Sequence, residues 1–235
     1  MRKAEQDSMT DKKIPVVTSD LRSHMIEVPE VIHRVTGIRI LGKRIKSIVF
    51  STDVAIICNI NADAVMAVYP FTPQPPITHA IMSAAAMPVF CGVGGGLTRG
   101  ERVRELARDA ESQGALGVVV NAPTPNDTIV MMNEVIDIPI IVTVVSEKTD
   151  IDARLNAGVD IINVSGAART PEMVYDIRKR YPDIPIIATG GPNETSIYDT
   201  IEAGANAITY TPPPIGELFK PTMAKYRKAE SGDEQ

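Results

Sequence analysis

From Lys46 onward, short apolar runs of strand length alternate with polar stretches in which apolar residues recur at helical spacing. Eight such runs predict strands at Lys46–Ser51, Ala64–Tyr69, Pro88–Val93, Ala115–Asn121, Pro139–Val145, Asp160–Val164, Pro185–Thr189 and Ala207–Thr211. Between them the pattern predicts a short helix after Asp53, then helices over Thr78–Ala86, Arg99–Gln113, Thr128–Val135, Glu147–Ala157, Pro171–Tyr181, Asn193–Ala203 and Gly216–Lys228. Part of the pattern is a copy of itself. Asp137-Ile138-Pro139-Ile140-Ile141 returns 46 positions later as Asp183-Ile184-Pro185-Ile186-Ile187, and Ala157-Gly158-Val159-Asp160 returns as Ala203-Gly204-Ala205-Asn206. Proline heading alternate strands suits first-residue positions, and Ala-Gly suits a left-handed helix C-terminus. Paired strand–helix–strand–helix units of even length predict an α/β fold, a closed (β/α)8 TIM barrel over residues 46–228. An open doubly wound sheet would not need such pairing.

Residues 1–45 are predicted to form an N-terminal extension, loose over its first thirteen residues, and 229–235 a flexible charged tail. Within the extension, Leu21, Met25, Ile26, Val31, Ile32 and Val35 give a partly helical pattern, expected to plug the barrel base or to serve a homo-oligomer.

Composition narrows the function. A hydrophobic content of 44% with 4% aromatics and no Trp leaves the core to Val, Ile, Ala and Met, as in α/β proteins. A net charge of −5 with dispersed Lys and Arg offers no basic stripe, so no nucleic-acid partner is expected. No apolar stretch reads as a signal peptide or membrane span, and Cys58 and Cys91 lack metal or CxxC spacing. The expectation is a cytoplasmic protein with reduced thiols, no metal and no cofactor, with no membrane partner.

The two copies diverge just after their first strand, where Val142-Thr143-Val144-Val145-Ser146 becomes Ala188-Thr189-Gly190-Gly191-Pro192. Parallel strands carry function at their carboxyl ends, so this is where chemistry is sought. Thr189, Gly190, Gly191 and Asn193, at the start of a helix, could cradle an anion with backbone amides and hydroxyls, joined by Thr211. A tight turn before a helix is the alternative. The run Ile186 to Gly191 with Ala203 to Ile208 resembles the last quarter of the phosphate-binding TIM barrels, among them sugar-phosphate epimerases, inosine-monophosphate dehydrogenases and the glycerol-uptake antiterminator family. The resemblance covers about a fifth of the chain and implies an anion site after the last two strands. The loop cysteine motif of the dehydrogenases is missing. Thr211 is followed by Pro212, Pro213 and Pro214, which have no N–H to offer an anion.

Other residues are candidates by position. Asp53 follows the first strand and is either a proton carrier or a helix cap. Glu147 and Lys148 could form a proton-transfer pair, or merely be first-turn charges. Cys91, at the end of the third strand, would need a base such as His79 to act as a nucleophile and is otherwise a core thiol, as Cys58 is expected to be. Asn121 and Asn163, with Ser165, suit hydroxyl recognition. Arg99 closes the glycine-rich Gly92–Gly100 loop, read as a flap or flexible connection, and is a candidate anion contact. Tyr69–Pro76 reads as a stiff wall.

The reading is a barrel enzyme acting on a small phosphorylated or carboxylated metabolite, of isomerase or lyase type. Barrels of this look include chains called hydrolases, but no Ser-His-Asp set or metal cluster supports hydrolysis. The alternatives are a non-catalytic ligand-sensing regulator resembling the antiterminator family, and a structural subunit with a vestigial site.

Overall fold

The computed structural model describes residues 25–231, together with Pro15 and residues 17–19. Leu21, the first thirteen residues and the last four of the tail lie outside the described residues.

The eight predicted strands are all present and parallel. They are β3 (Ser47–Phe50), β4 (Ala64–Ala67), β5 (Val89–Gly94), β6 (Gly117–Val120), β7 (Ile140–Val144), β8 (Ile161–Val164), β9 (Ile186–Thr189) and β10 (Ala207–Tyr210). They close into a barrel by pairing of β10 with β3. Side chains alternate along each strand, so one set faces the barrel interior and the other the helical layer. Ile48, Met66, Phe90, Val119, Ile141, Ile161 and Ile187 fill the interior, while Val49, Val65, Cys91, Val118, Val142 and Ile162 pack outward.

Around the barrel run α1 (Val54–Ile57), α2 (Pro75–Ala84), α3 (Glu101–Ser112), α4 (Asn126–Asn133), α5 (Ile151–Asn156), α6 (Thr170–Arg180), α7 (Glu194–Glu202) and α8 (Ile215–Ser231). Two starts differ from expectation. Helix α2 takes Pro75 into its first turn, where a missing N–H costs nothing. Helix α5 begins at Ile151, because Asp150 caps it by accepting from Ala153 N at 3.0 Å, which leaves Glu147 and Lys148 in the loop.

The repeated polar position before the second strand of each copy has a structural cause. Asp160 Oδ2 accepts from Ile140 N at 2.8 Å, and Asn206 Oδ1 accepts from Ile186 N at 2.9 Å. Each side chain thereby satisfies the first amide of the strand beside it. The matched Gly158 and Gly204 have φ of 103° and 109°, and a Cβ at either would stand 2.9 Å or less from Asn133 or Arg178. Both facts explain why these letters recur.

Residues before β3 depart from the helical pattern. Among the described residues there, Glu30–Arg34 forms a 3-10 turn, and β1 (Ile38–Ile40) and β2 (Lys43–Ile45) form an antiparallel hairpin across Leu41-Gly42. The period of two in Ile38-Arg39-Ile40 is the signal that the longer helical pattern obscures. Ile38, Ile40 and Ile45 join the interior cluster beside Ala64, Leu116, Ile161 and Ala207, which lie at or just before strand starts. The hairpin therefore seals the amino-terminal end of the barrel.

Helix α8 extends three residues beyond Lys228 and carries Ile215, Phe219, Met223 and Tyr226 along a largely exposed stripe. Among the described residues no helix is long and apolar enough to cross a membrane.

Candidate functional site

With one end sealed, the other opens into a cavity of about 320 Å³ at the carboxyl ends of the strands. Its polar lining comes in pairs 46 positions apart: Thr143 and Thr189, Asn163 and Thr209, Ser165 and Thr211. Asn121 at the end of β6 completes it, and Phe50, Met66 and Val68 make an apolar wall. None of the lining side chains is ionisable. Hydroxyls and amides of this kind supply hydrogen-bond donors and acceptors without charge.

Within this ring the two deepest polar groups differ. Thr209 is 5% exposed, and its hydroxyl donates to Ala188 O at 3.2 Å. Asn163 is 6% exposed, and its Nδ2 donates to Thr143 Oγ1 at 3.1 Å. Its Oδ1 is buried with no partner. Of the buried side-chain polar atoms left unpaired among the described residues, this one alone belongs to the mouth lining. A buried acceptor without a donor is costly, and it marks a place where a further group is wanted.

The structure thus brings Asn121, Asn163, Thr189 and Thr211 to one cavity, with Ser165. Thr143 and Thr209 join them although the sequence reading passed them over. Strand alternation combined with the 46-residue offset was the signal that could have found both.

The other candidates lie elsewhere. Cys91 faces the helical layer, 1% exposed, with its Sγ 3.7 Å from Met82 Sδ. Burial, reinforced by Asp109, pushes its thiol up to about 12. His79 is exposed on α2, and the nucleophile reading of Cys91 is corrected to a core thiol. Cys58, expected in the core, is exposed. Asp53 caps α1, its Oδ1 accepting from Ala55 N at 2.9 Å and Ile56 N at 3.3 Å. Glu147 pairs with Arg169 at 2.6 Å across the rim, half exposed, and Lys148 is an exposed loop residue. None of these carboxylates or amines lines the mouth cavity.

The predicted anion cup is also reduced. Gly190 N donates to Thr209 O at 3.1 Å, and a Cβ at Gly190 would meet Ile208 and Ile197 inside 3.0 Å. Its missing side chain serves packing, and its amide is spent. Asn193 N is spent on Ser196 Oγ at 3.3 Å, while Asn193 Oδ1 accepts from Ser196 N at 2.9 Å in a capping box. Gly191 turns the chain at φ 82° above Ser196. Pro192 has no N–H, and Glu194 puts a negative charge in the first turn.

The glycine-rich segment after β5 is a tight hydrogen-bonded turn, closed by Gly95 N to Thr98 O at 3.2 Å and Thr98 N to Gly95 O at 3.0 Å. Leu97 at its tip is fully exposed. Arg99 is exposed and folds back to donate to Gly96 O at 2.8 Å. Between this turn and Tyr69–Pro73 lies a second cleft of about 310 Å³.

No family model and no curated protein sequence matches the chain. Solved structures do resemble it. A phosphonopyruvate hydrolase complexed with oxalate and Mg++ is 12% identical, with a TM-score of 0.60 over 80% of this chain and 83% of that one. A 2,3-dimethylmalate lyase of the PEP mutase/isocitrate lyase superfamily is 14% identical, with a TM-score of 0.58 over 78% and 79%. A phosphoenolpyruvate phosphomutase from Streptomyces platensis subsp. rosaceus is 14% identical, with a TM-score of 0.57 over 79% and 81%. At these identities the likeness is one of fold, and it does not single out the epimerase, dehydrogenase or antiterminator families.

Proposed function

We propose that the chain is a barrel enzyme that binds a small carboxylated metabolite in the mouth of the barrel and acts on it as a lyase or isomerase. The observation that carries the reading is the uncharged ring of hydroxyls and amides around a cavity sealed below. Such a ring holds a carboxylate and neighbouring hydroxyls by several neutral hydrogen bonds. It suits a doubly charged phosphate less well, because no Lys, Arg or His lines the cavity and the Gly190 amide is spent. Of the two anion classes expected from sequence, the carboxylate is therefore the better supported.

The fold neighbours named as a hydrolase, a lyase and a mutase support turnover. The Mg++ of the hydrolase complex has no matching donor set here. The mouth offers no carboxylate, and among the described residues no three His, Cys, Asp or Glu side chains come together. Proton transfer would fall to the rim, where Asp53 stands three residues beyond Phe50 of the mouth wall and Glu147 four beyond Thr143 of its polar lining.

A second reading, a ligand sensor without turnover, is favoured by one observation: every ionisable candidate lies outside the cavity. Assembly as a homo-oligomer is proposed through the exposed apolar stripe of α8.

Thermal unfolding across matched carboxylated and phosphorylated compounds tests the binding step, since a ligand of the native state alone raises the melting temperature. Proton NMR of the stabilising compounds, incubated with the protein, then separates enzyme from sensor. Selective stabilisation by phosphorylated compounds would overturn the carboxylate assignment, and unchanged spectra for every binder would favour the sensor.

A further inference from the structure

The mouth and the second cleft are not independent. Val68 and Asn121 line both, so the uncharged chamber and the cleft adjoin at the level of the strand ends. The two lobes have different chemistry. In the chamber, Asn163 Oδ1 is a buried acceptor without a donor. In the cleft, Tyr69, Pro70, Phe71 and Leu97 present apolar surface, with Phe71 73% exposed and Leu97 100% exposed. Large apolar side chains held in water around a concave surface gain most when a ligand covers them.

Both loops of the cleft are braced by internal hydrogen bonds. Tyr69 Oη accepts from Gln74 N at 2.9 Å and ties the proline-rich loop to the start of α2. The opposite wall is the closed Gly95–Thr98 turn. A Cβ at Gly95 would stand 2.6 Å from Asn121 Cβ, so glycine there keeps the turn tight against the residue shared by the two lobes. The strand beneath shifts register between Gly92 and Gly94, both of which line the cleft.

We infer that the ligand is a two-part molecule: a head bearing a hydroxyl that donates to Asn163 Oδ1, and an apolar arm that passes Val68 and Asn121 into the cleft between Phe71 and Leu97. The inference rests on reading the mouth as the ligand site and adds the substrate class, a hydroxy acid with an alkyl or aryl substituent. The hydroxyl supplies what the buried acceptor lacks, and a ligand without it leaves that acceptor unpaired. The arm removes apolar surface from water on both sides.

Four acids form the test: propanoate, lactate, 3-phenylpropanoate and 3-phenyllactate, which vary hydroxyl and arm independently. Dissociation constants are measured by titration calorimetry on the intact chain, with 3-phosphoglycerate and oxalate alongside. The hydroxyl is expected to tighten binding about tenfold in each pair, since an unpaired buried acceptor is relieved. The phenyl arm is expected to add about tenfold more. In the double variant Phe71→Ala, Leu97→Ala, whose sites are exposed and whose fold should be intact, the phenyl advantage is expected to vanish while the hydroxyl advantage stays. Equal binding within the hydroxyl pairs overturns the hydroxyl half of the inference and equal binding of the acids with and without phenyl overturns the arm half, without need of a variant at buried Asn163. If none of the four acids binds but 3-phosphoglycerate or oxalate does, the two-part ligand falls and the mouth remains a ligand site. If nothing binds, the reading of the mouth falls with it.

Discussion

The two copies of the repeat, β7-α5-β8 and β9-α7-β10, do the same structural work with the same letters and differ where their strands end. In both, a polar residue before the second strand holds the first amide of its neighbour, and a glycine of φ near 105° ends the helix. In both, Thr143 or Thr189 faces the mouth. One step deeper the copies part: Thr209 turns its hydroxyl back to the strand backbone, whereas Asn163 keeps an oxygen unpaired. In the second copy Gly190 and Asn193 are spent on packing and capping, and Thr189 and Thr211 are left to the mouth lining. The first copy retains unmet bonding capacity at Asn163 Oδ1, the atom that the proposed ligand would engage.

Exchanging or deleting matched residues should expose the asymmetry. The largest effect is expected at the strand end, where Val144 of the first copy corresponds to Gly190 of the second. Gly190→Val would drive methyl groups into Ile208 and Ile197 and should cost about 3 kcal/mol in urea unfolding, if the barrel forms at all. Next comes the amide-holding pair. Asn206→Ala should cost about 2 kcal/mol, because Asn206 also accepts from Arg178 at 2.6 Å and donates to Thr36 Oγ1 at 2.9 Å. Asp160→Ala, at an exposed residue with the single bond to Ile140 N, should cost about 1 kcal/mol by the same measurement. Equal losses would mean that the extra partners of Asn206 add nothing.

Smaller effects are expected at the loop. Asn193→Ala removes a capping box and should lose about 1 kcal/mol, while Glu147→Ala at the matched position breaks an exposed ion pair and should change stability by less than about 0.5 kcal/mol. The smallest shift has the opposite sign. Asn163→Thr makes the first copy like the second, and its hydroxyl could donate to Val142 O as Thr209 donates to Ala188 O. The empty protein should gain about 0.5 kcal/mol while ligand binding weakens about tenfold. A variant that is both less stable and fully binding would remove the distinction between the copies.

The fold was legible because the repeat and strand alternation are cooperative signals spread over many residues. The hairpin was not, since its two strands have three residues each and merge with a pattern of helical spacing around Val31, Ile32 and Val35. At the site, Asn121, Asn163 and Thr189 could be placed because Asn121 and Thr189 end predicted strands, Asn163 stands one residue before the end of its own, and all three fall on the inward parity. Cys91 failed on that parity: Phe90 takes the inward place in β5, so its neighbour points to the helices. Gly190 looked like an amide donor because sequence does not reveal which backbone bonds are already made. The orphaned oxygen of Asn163 follows from the same limit, as only the three-dimensional partners of a side chain tell whether it is satisfied.

The hairpin plug also fixes an order of events during synthesis. Ile38, Ile40 and Ile45 emerge early, yet they pack beside Leu116, Ile161 and Ala207, and the barrel closes only when β10 meets β3. Until the last quarter of the chain has left the ribosome, three isoleucines have no complete cover. Closure must then be a late, long-range step, slow in the way that pairing of distant chain segments is slow, and the nascent chain stays sticky until it is done.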